Sequence, residues 1–137
     1  MRRIAFARIG ASFYILWGLL HFSAAFNVFH IGLGVPPTVI RGRLFQDAAY
    51  LFSFATAAIV LAITMIWRNS RLGCWLNALV VGVADVPFIV FVLVPGYMPL
   101  WPGALGPILW IAAMIFTVLG QVIVRSTPLE SADALRR

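Results

Sequence analysis

His21 and Asp85 are the two ionisable residues that fall deep inside long apolar runs of this chain. An acid and a base held together away from water are the parts of a proton-transfer site, and intramembrane ionisable groups are costly enough to need a reason. With the first run starting near Ala7 and the third near Leu72, a rise of about 1.5 Å per residue puts His21 about 21 Å and Asp85 about 20 Å along their helices. Equal depth lets them meet. His21 lies one turn beyond Gly18 and two beyond Tyr14, while Asp85 shares a helical face with Ala78 and Gly82, so both side chains are expected to point inward. Two readings stay open. Asp85 can hold the imidazole in one tautomer so that His21 acts as acid or base. Alternatively, the two groups merely satisfy each other, together with the Val83 carbonyl that Pro87 deprives of its helical donor.

A second polar group sits near the same end. Asn27 and His30, with Ser23, share one face of the first helix; Gln46 and Asp47 are expected in the first turn of the second, preceded by Arg41 and Arg43. Together they are a candidate site for a polar headgroup. The competing account is a plain rim, with Asp47 favourably placed against the helix dipole. Tyr14, Trp17 and Trp110 are expected as aromatic walls of a cavity bordered by His21, Asn27, Asp47 and Asp85. Such a cavity suits an amphipathic molecule, its tail in lipid and its head toward Arg41 and Arg43, because few convergent polar groups in an apolar wall are the usual form of a binding site.

Other chemistries lose their footing in the sequence. Haem held by histidines from two helices fails, because His21 and His30 lie on the same one. No metal-site spacing, glycine-rich phosphate loop or nucleophile elbow occurs; the residues name no cofactor, and a metal or haem site with a single histidine stays open without a motif to support it. The lone Cys74 reads as a small packing residue, and Asn77 and Gln121 as hydrogen-bond partners between helices.

These residues are positioned by four apolar runs, at 7–29, 46–67, 72–94 and 104–124, followed by a tail at 125–137. A hydrocarbon core about 30 Å thick needs about 20 helical residues, and each run supplies them. Only 10% of the 137 residues are charged and 63% are hydrophobic, with a mean hydropathy of +1.01. A soluble domain would expose more apolar surface than water tolerates. The expected fold is therefore all-α, one integral membrane four-helix bundle spanning 1–137 in up-down-up-down order. Arg2 and Arg3 before an apolar run, with Ser23-Ala24-Ala25 beyond, resemble a signal peptide only loosely; the run is too long, and a retained span is expected.

Small residues mark the packing faces: Gly10 and Gly18 on the first helix, Ala78 and Gly82 on the third, Ala113 and Gly120 on the fourth. The second offers two rows, Ala49, Ser53 and Ala57, and beside it Ala55, Ala58 and Ala62. The connection at 31–45 is apolar and carries Pro36 and Pro37. It is expected to rest in the membrane interface or to fold back as a lid. The loop at 95–103, with three prolines, should be stiff and anchor through Tyr97 and Trp101.

All ten basic residues are arginines. Arg2, Arg3, Arg8, Arg68, Arg71, Arg125, Arg136 and Arg137 flank one side, whereas Arg41 and Arg43 alone flank the other. The positive-inside rule then puts both termini in the cytoplasm, and the +6 charge calls for no nucleic-acid partner. The outline is that of small four-span proteins of bacterial cytoplasmic membranes. Three functions fit it: a non-enzymatic accessory subunit or binder of a lipidic small molecule; an enzyme using His21 and Asp85 on a lipid, isoprenoid or quinone; or a proton-coupled carrier acting as a dimer. Expected partners are membrane lipid, an amphipathic molecule or quinone, and further copies or subunits of a larger complex.

Cysteine labelling tests the orientation. In a Cys74→Ala background, Thr38→Cys and Met98→Cys should react with an impermeant thiol reagent added to intact cells, and Ser70→Cys should not. Labelling at position 70 from outside would reverse the orientation.

Overall fold

The computed structural model describes residues 2–122, with side chains from Ile4 onward. The expected tail at 125–137 and the end of the fourth run, 123–124, lie outside the described residues. Four long helices dominate: α1 (Arg2–Gly34), α2 (Val39–Thr64), α3 (Arg71–Phe88) and α4 (Leu105–Val122). No strand occurs among the described residues. The segments Ile4–Gly34, Val39–Arg68, Arg71–Leu93 and Leu105–Val122 are each long and apolar enough to cross a membrane.

The breaks follow local chemistry. Val35-Pro36-Pro37 cannot continue a helix, because proline lacks the amide donor and restricts the residue before it. Asn69 turns the chain between α2 and α3 in the left-handed region, at φ 58°, a conformation that asparagine tolerates better than most residues. Ser70 caps α3 by accepting the Gly73 amide at 3.3 Å. Pro87 lies inside α3, and the chain after it widens into a π-helical turn over Ile89–Leu93. Pro107 occupies the first turn of α4, where its missing donor costs nothing.

Three expectations need correction. The apolar connection at 31–45 is mostly helix and does not form a separate connector or lid. Residues 31–34 complete α1 and 39–45 open α2, leaving 35–38 as the only break. At 33 residues, α1 is about 50 Å long and outruns the hydrocarbon thickness that set the expected boundaries. Gln46 and Asp47 consequently sit about two turns into α2, and its first turn holds no acid, so the helix-dipole account of Asp47 falls. The third correction concerns α2: Ala49 and Ser53 face outward, and Ala55, Ala58 and Ala62 are fully buried.

α1 packs along both α2 and α4, and α3 packs against the same two helices, so α1 and α3 oppose each other across the diagonal. The core is uneven by design of its side chains. Tyr14 and Trp17 from α1 fill the centre, and the alanines of α2 make room for them, with Val81 and Ala113 closing the other sides. At the far end, Asn77 donates to the Ala58 carbonyl at 3.1 Å, and Gln121 donates to the Asn69 carbonyl at 2.9 Å. Asn69 answers with a 3.2 Å bond to the Gly120 carbonyl. These bonds tie α3 to α2 and the α2–α3 turn to α4.

Gly10 permits the closest approach of α1 to α4. A Cβ there would stand 2.6 Å from Thr117 Cγ2 and 3.0 Å from the Ala113 carbonyl oxygen, and a carbonyl in a helix cannot step aside. Gly10→Ala should therefore cost about 1–3 kcal/mol in reversible unfolding in detergent. Gly42→Ala, which meets nothing within 4 Å, should leave stability unchanged or raise it by up to about 1 kcal/mol. Equal effects of the two would mean that α1 and α4 do not touch at Gly10.

Candidate functional site

Trp17, His21 and Asp85 form one buried cluster on the bundle diagonal. Trp17 Nε1 donates to Asp85 Oδ2 at 3.0 Å. His21 Nε2 faces the other carboxyl oxygen, Oδ1, at 3.6 Å. His21 Nδ1 lies 2.9 Å from the Trp17 carbonyl oxygen, and the imidazole stacks on the indole at 3.7 Å between ring centres. Both contacts arise within α1, because residues four apart stand one above the other on a helix.

The hydrogen bonds fix where protons can be. A carbonyl oxygen only accepts, so Nδ1 carries a proton. Nε2 and Oδ1, 3.6 Å apart, are near enough to interact as an ion pair and too far apart for a hydrogen bond. The glycine at position 106 brings α4 against it: a Cβ there would lie 3.0 Å from His21 Cε1 and 3.5 Å from Asp85 Oδ1.

Asp85 is fully buried, yet Oδ1 has no hydrogen bond, and the same is true of Tyr14 Oη, Asn77 Oδ1 and Trp110 Nε1 among buried side-chain atoms. A buried polar atom left unpaired costs about 1–3 kcal/mol, so these four are conspicuous. The His21 side chain is 13% exposed, which makes it the edge of the cluster that reaches the surface of the bundle.

The rim residues behave differently. Asn27, His30, Arg43 and Asp47 are exposed. Arg43 donates to Gln46 Oε1 at 2.9 Å, and Gln46 donates onward to the Tyr50 hydroxyl. Arg41 lies over the Phe45 ring at 5.3 Å, and His30 meets the edge of Phe26. The structure thus brings Arg43, Gln46 and Tyr50 together along α2. It does not bring Asn27 or Asp47 to His21 and Asp85, and no hydrogen bond links the two groups among the described residues. Tyr14, Trp17 and Trp110 do lie inside, although Trp17 is more than an aromatic wall because it is the donor to Asp85. Its indole N–H was the available signal: a tryptophan one turn before a buried histidine carries a polar handle that needs a partner.

Deleting both ends of the Trp17–Asp85 bond should cost less than the sum of the single losses. Trp17→Phe and Asp85→Ala are expected to show a coupling energy of about 1–3 kcal/mol in a double-mutant cycle of detergent unfolding. Additive losses would mean that the bond does not form.

No family model, no curated protein and no solved structure matches the chain.

Proposed function

We propose that this chain is a multi-pass membrane protein, with both termini cytoplasmic, that binds one amphipathic molecule with its head at the Trp17–His21–Asp85 cluster. One observation carries the proposal: a fully buried carboxyl group has an oxygen, Oδ1, with no hydrogen bond. In an apolar solvent such a group is expensive, and a polar head that bonds to it recovers the loss. The four apolar helices supply the setting, and the arginine count supplies the orientation. The exposed Arg43 and Asp47 and the half-buried Arg41 and Gln46 then lie at headgroup level, where they position the bundle rather than the bound molecule.

A second reading, acid–base catalysis on the head of a lipid, isoprenoid or quinone, draws support from the 3.6 Å approach of His21 Nε2 to Asp85 Oδ1. An imidazole and a carboxyl group this close can take a proton from a bound head at one of them and return one from the other. Binding comes first in either case.

Native mass spectrometry of the protein extracted from its membrane tests the binding. The wild type should carry an amphipathic adduct that Asp85→Ala loses by tenfold or more, while Arg43→Ala retains it. Asp85→Asn, which keeps an acceptor for Trp17, serves where the alanine variant does not fold. Equal adducts on wild type and both Asp85 variants would remove the cluster from the site. A chemical change in the adduct that requires His21 would decide for catalysis.

A further inference from the structure

At the end of the bundle where α2 gives way to α3, arginines gather around one aromatic ring. Arg8 of α1 lies over the Trp67 ring, its guanidinium carbon 5.6 Å from the ring centre. Trp67 belongs to the short turn Ile66–Arg68 that follows α2, so Arg68 is its neighbour in the chain and Arg71 opens α3 just beyond. Arg8, Trp67, Arg68 and Arg71 are all exposed. The two polar residues between the arginines of this turn are occupied within the protein: Asn69 donates to the Gly120 carbonyl, and Ser70 accepts from the Gly73 amide. What the turn leaves outward is basic.

No acid offsets that charge among the described residues. Their acids are Asp47, which lies toward the opposite end of α2, and Asp85, which is buried, about 20 Å further along α3. The side chains of Arg8, Arg68 and Arg71 make no hydrogen bond and no salt bridge among the described residues. The contact of Arg8 with Trp67 is electrostatic, and it leaves the N–H donors of the guanidinium unused. A side chain already held against a ring has less freedom to lose when a ligand arrives.

A planar fork of unused donors beside an indole, at the end of membrane-crossing helices, matches one chemical class. Indoles settle at the headgroup boundary, and the phosphate diester found there accepts two parallel N–H bonds from an arginine. A zwitterionic lipid carries an ammonium that offsets its own phosphate. An anionic lipid carries an uncompensated charge, which complements three arginines that have none.

We infer that Arg8, Trp67, Arg68 and Arg71 form a site for the phosphate of an anionic phospholipid, with the Arg8 fork, held by Trp67, at its centre. The inference rests on the membrane setting and orientation proposed above and is independent of the ligand at the Trp17–His21–Asp85 cluster.

The purified full-length protein in detergent is offered equal amounts of phosphatidylglycerol and phosphatidylcholine with the same acyl chains, and retention is read by native mass spectrometry. The wild type should favour phosphatidylglycerol by about tenfold or more. Arg8→Gln should lower that preference by about fivefold, as expected for one basic charge near a lipid surface. Trp67→Leu, which changes no charge, should lower it too, and Arg43→Gln at the opposite rim should leave it in place. Inorganic phosphate in excess should not displace the lipid; displacement would make the ligand free phosphate and overturn the assignment to a lipid. Equal retention of the two lipids by the wild type, the result expected if Glu130 or Asp133 of the chain meets the arginines instead, overturns the site. So does an unchanged preference in Trp67→Leu, the result expected of diffuse rim charge. The adduct at the Trp17–His21–Asp85 cluster is read from the Asp85 variants, so the two proposals fail separately.

Discussion

The hydrogen bond from Trp17 to Asp85 is the constraint on which the arrangement of this bundle depends. It joins α1 and α3, one of the two diagonal pairs of the bundle, and it does so through the middle of the core. For helices that cross a membrane, as proposed here, nearly every apolar face is equally content outward, so hydrophobicity gives little rotational preference. A buried carboxyl group does give one. Once Asp85 must find a donor, α3 can face the core in only one way, and α1 must present Trp17 to it. Tyr14, one turn earlier on the same face, then falls inside as well, and the alanines of α2 become the surface that two large aromatics can pack on.

The cluster can exist in a dry core because its parts cancel. An isolated ionised carboxylate or imidazolium in low dielectric would cost far more than any packing could offset. Asp85 and His21 stand 3.6 Å apart, close enough for a charge on one to offset an opposite charge on the other and leave a set of local dipoles. Two of those dipoles are satisfied by Trp17 itself, through its indole N–H and its backbone carbonyl. A single residue thus orients both members of the pair. The rim chain of Arg43, Gln46 and Tyr50 has no such leverage, since exposed polar contacts contribute little to stability.

Much of this was legible in the sequence, for identifiable reasons. Run length and composition report four helices because a membrane-crossing helix must hide its backbone within one continuous segment. The meeting of His21 and Asp85 follows from counting residues from the ends of the runs, and the partners of Asn77 and Gln121 follow from the same need for buried amides to bond. The extents of α1 and α2 were hidden, because hydropathy registers the solvent around a helix and not its continuation past 29 or before 46. The packing face of α2 was hidden too. Ala49-Ser53-Ala57 and Ala55-Ala58-Ala62 are equivalent as spacings, and only the bulk of Tyr14 and Trp17 on α1 decides between them.

Pro87 and the wide turn that follows fit the same logic. A helix that loses an amide donor at its penultimate residue must rearrange its carbonyls locally, and π-helical turns of this kind recur at functional sites. Here the rearrangement begins two residues after Asp85 and leaves Asp85 itself within regular helix, its backbone carbonyl accepting the Ile89 amide. The carboxyl group is thereby held on a rigid turn that is bordered by a deformable one. Gly106 closes the opposite side without a side chain of its own, so that α4 can come against the imidazole. An acid and base fixed by Trp17 are thus pressed by α4 backbone on one flank and bordered by an irregular turn on the next, and the one carboxyl oxygen that Trp17 does not reach, Oδ1, is the atom left facing Gly106 without a hydrogen bond.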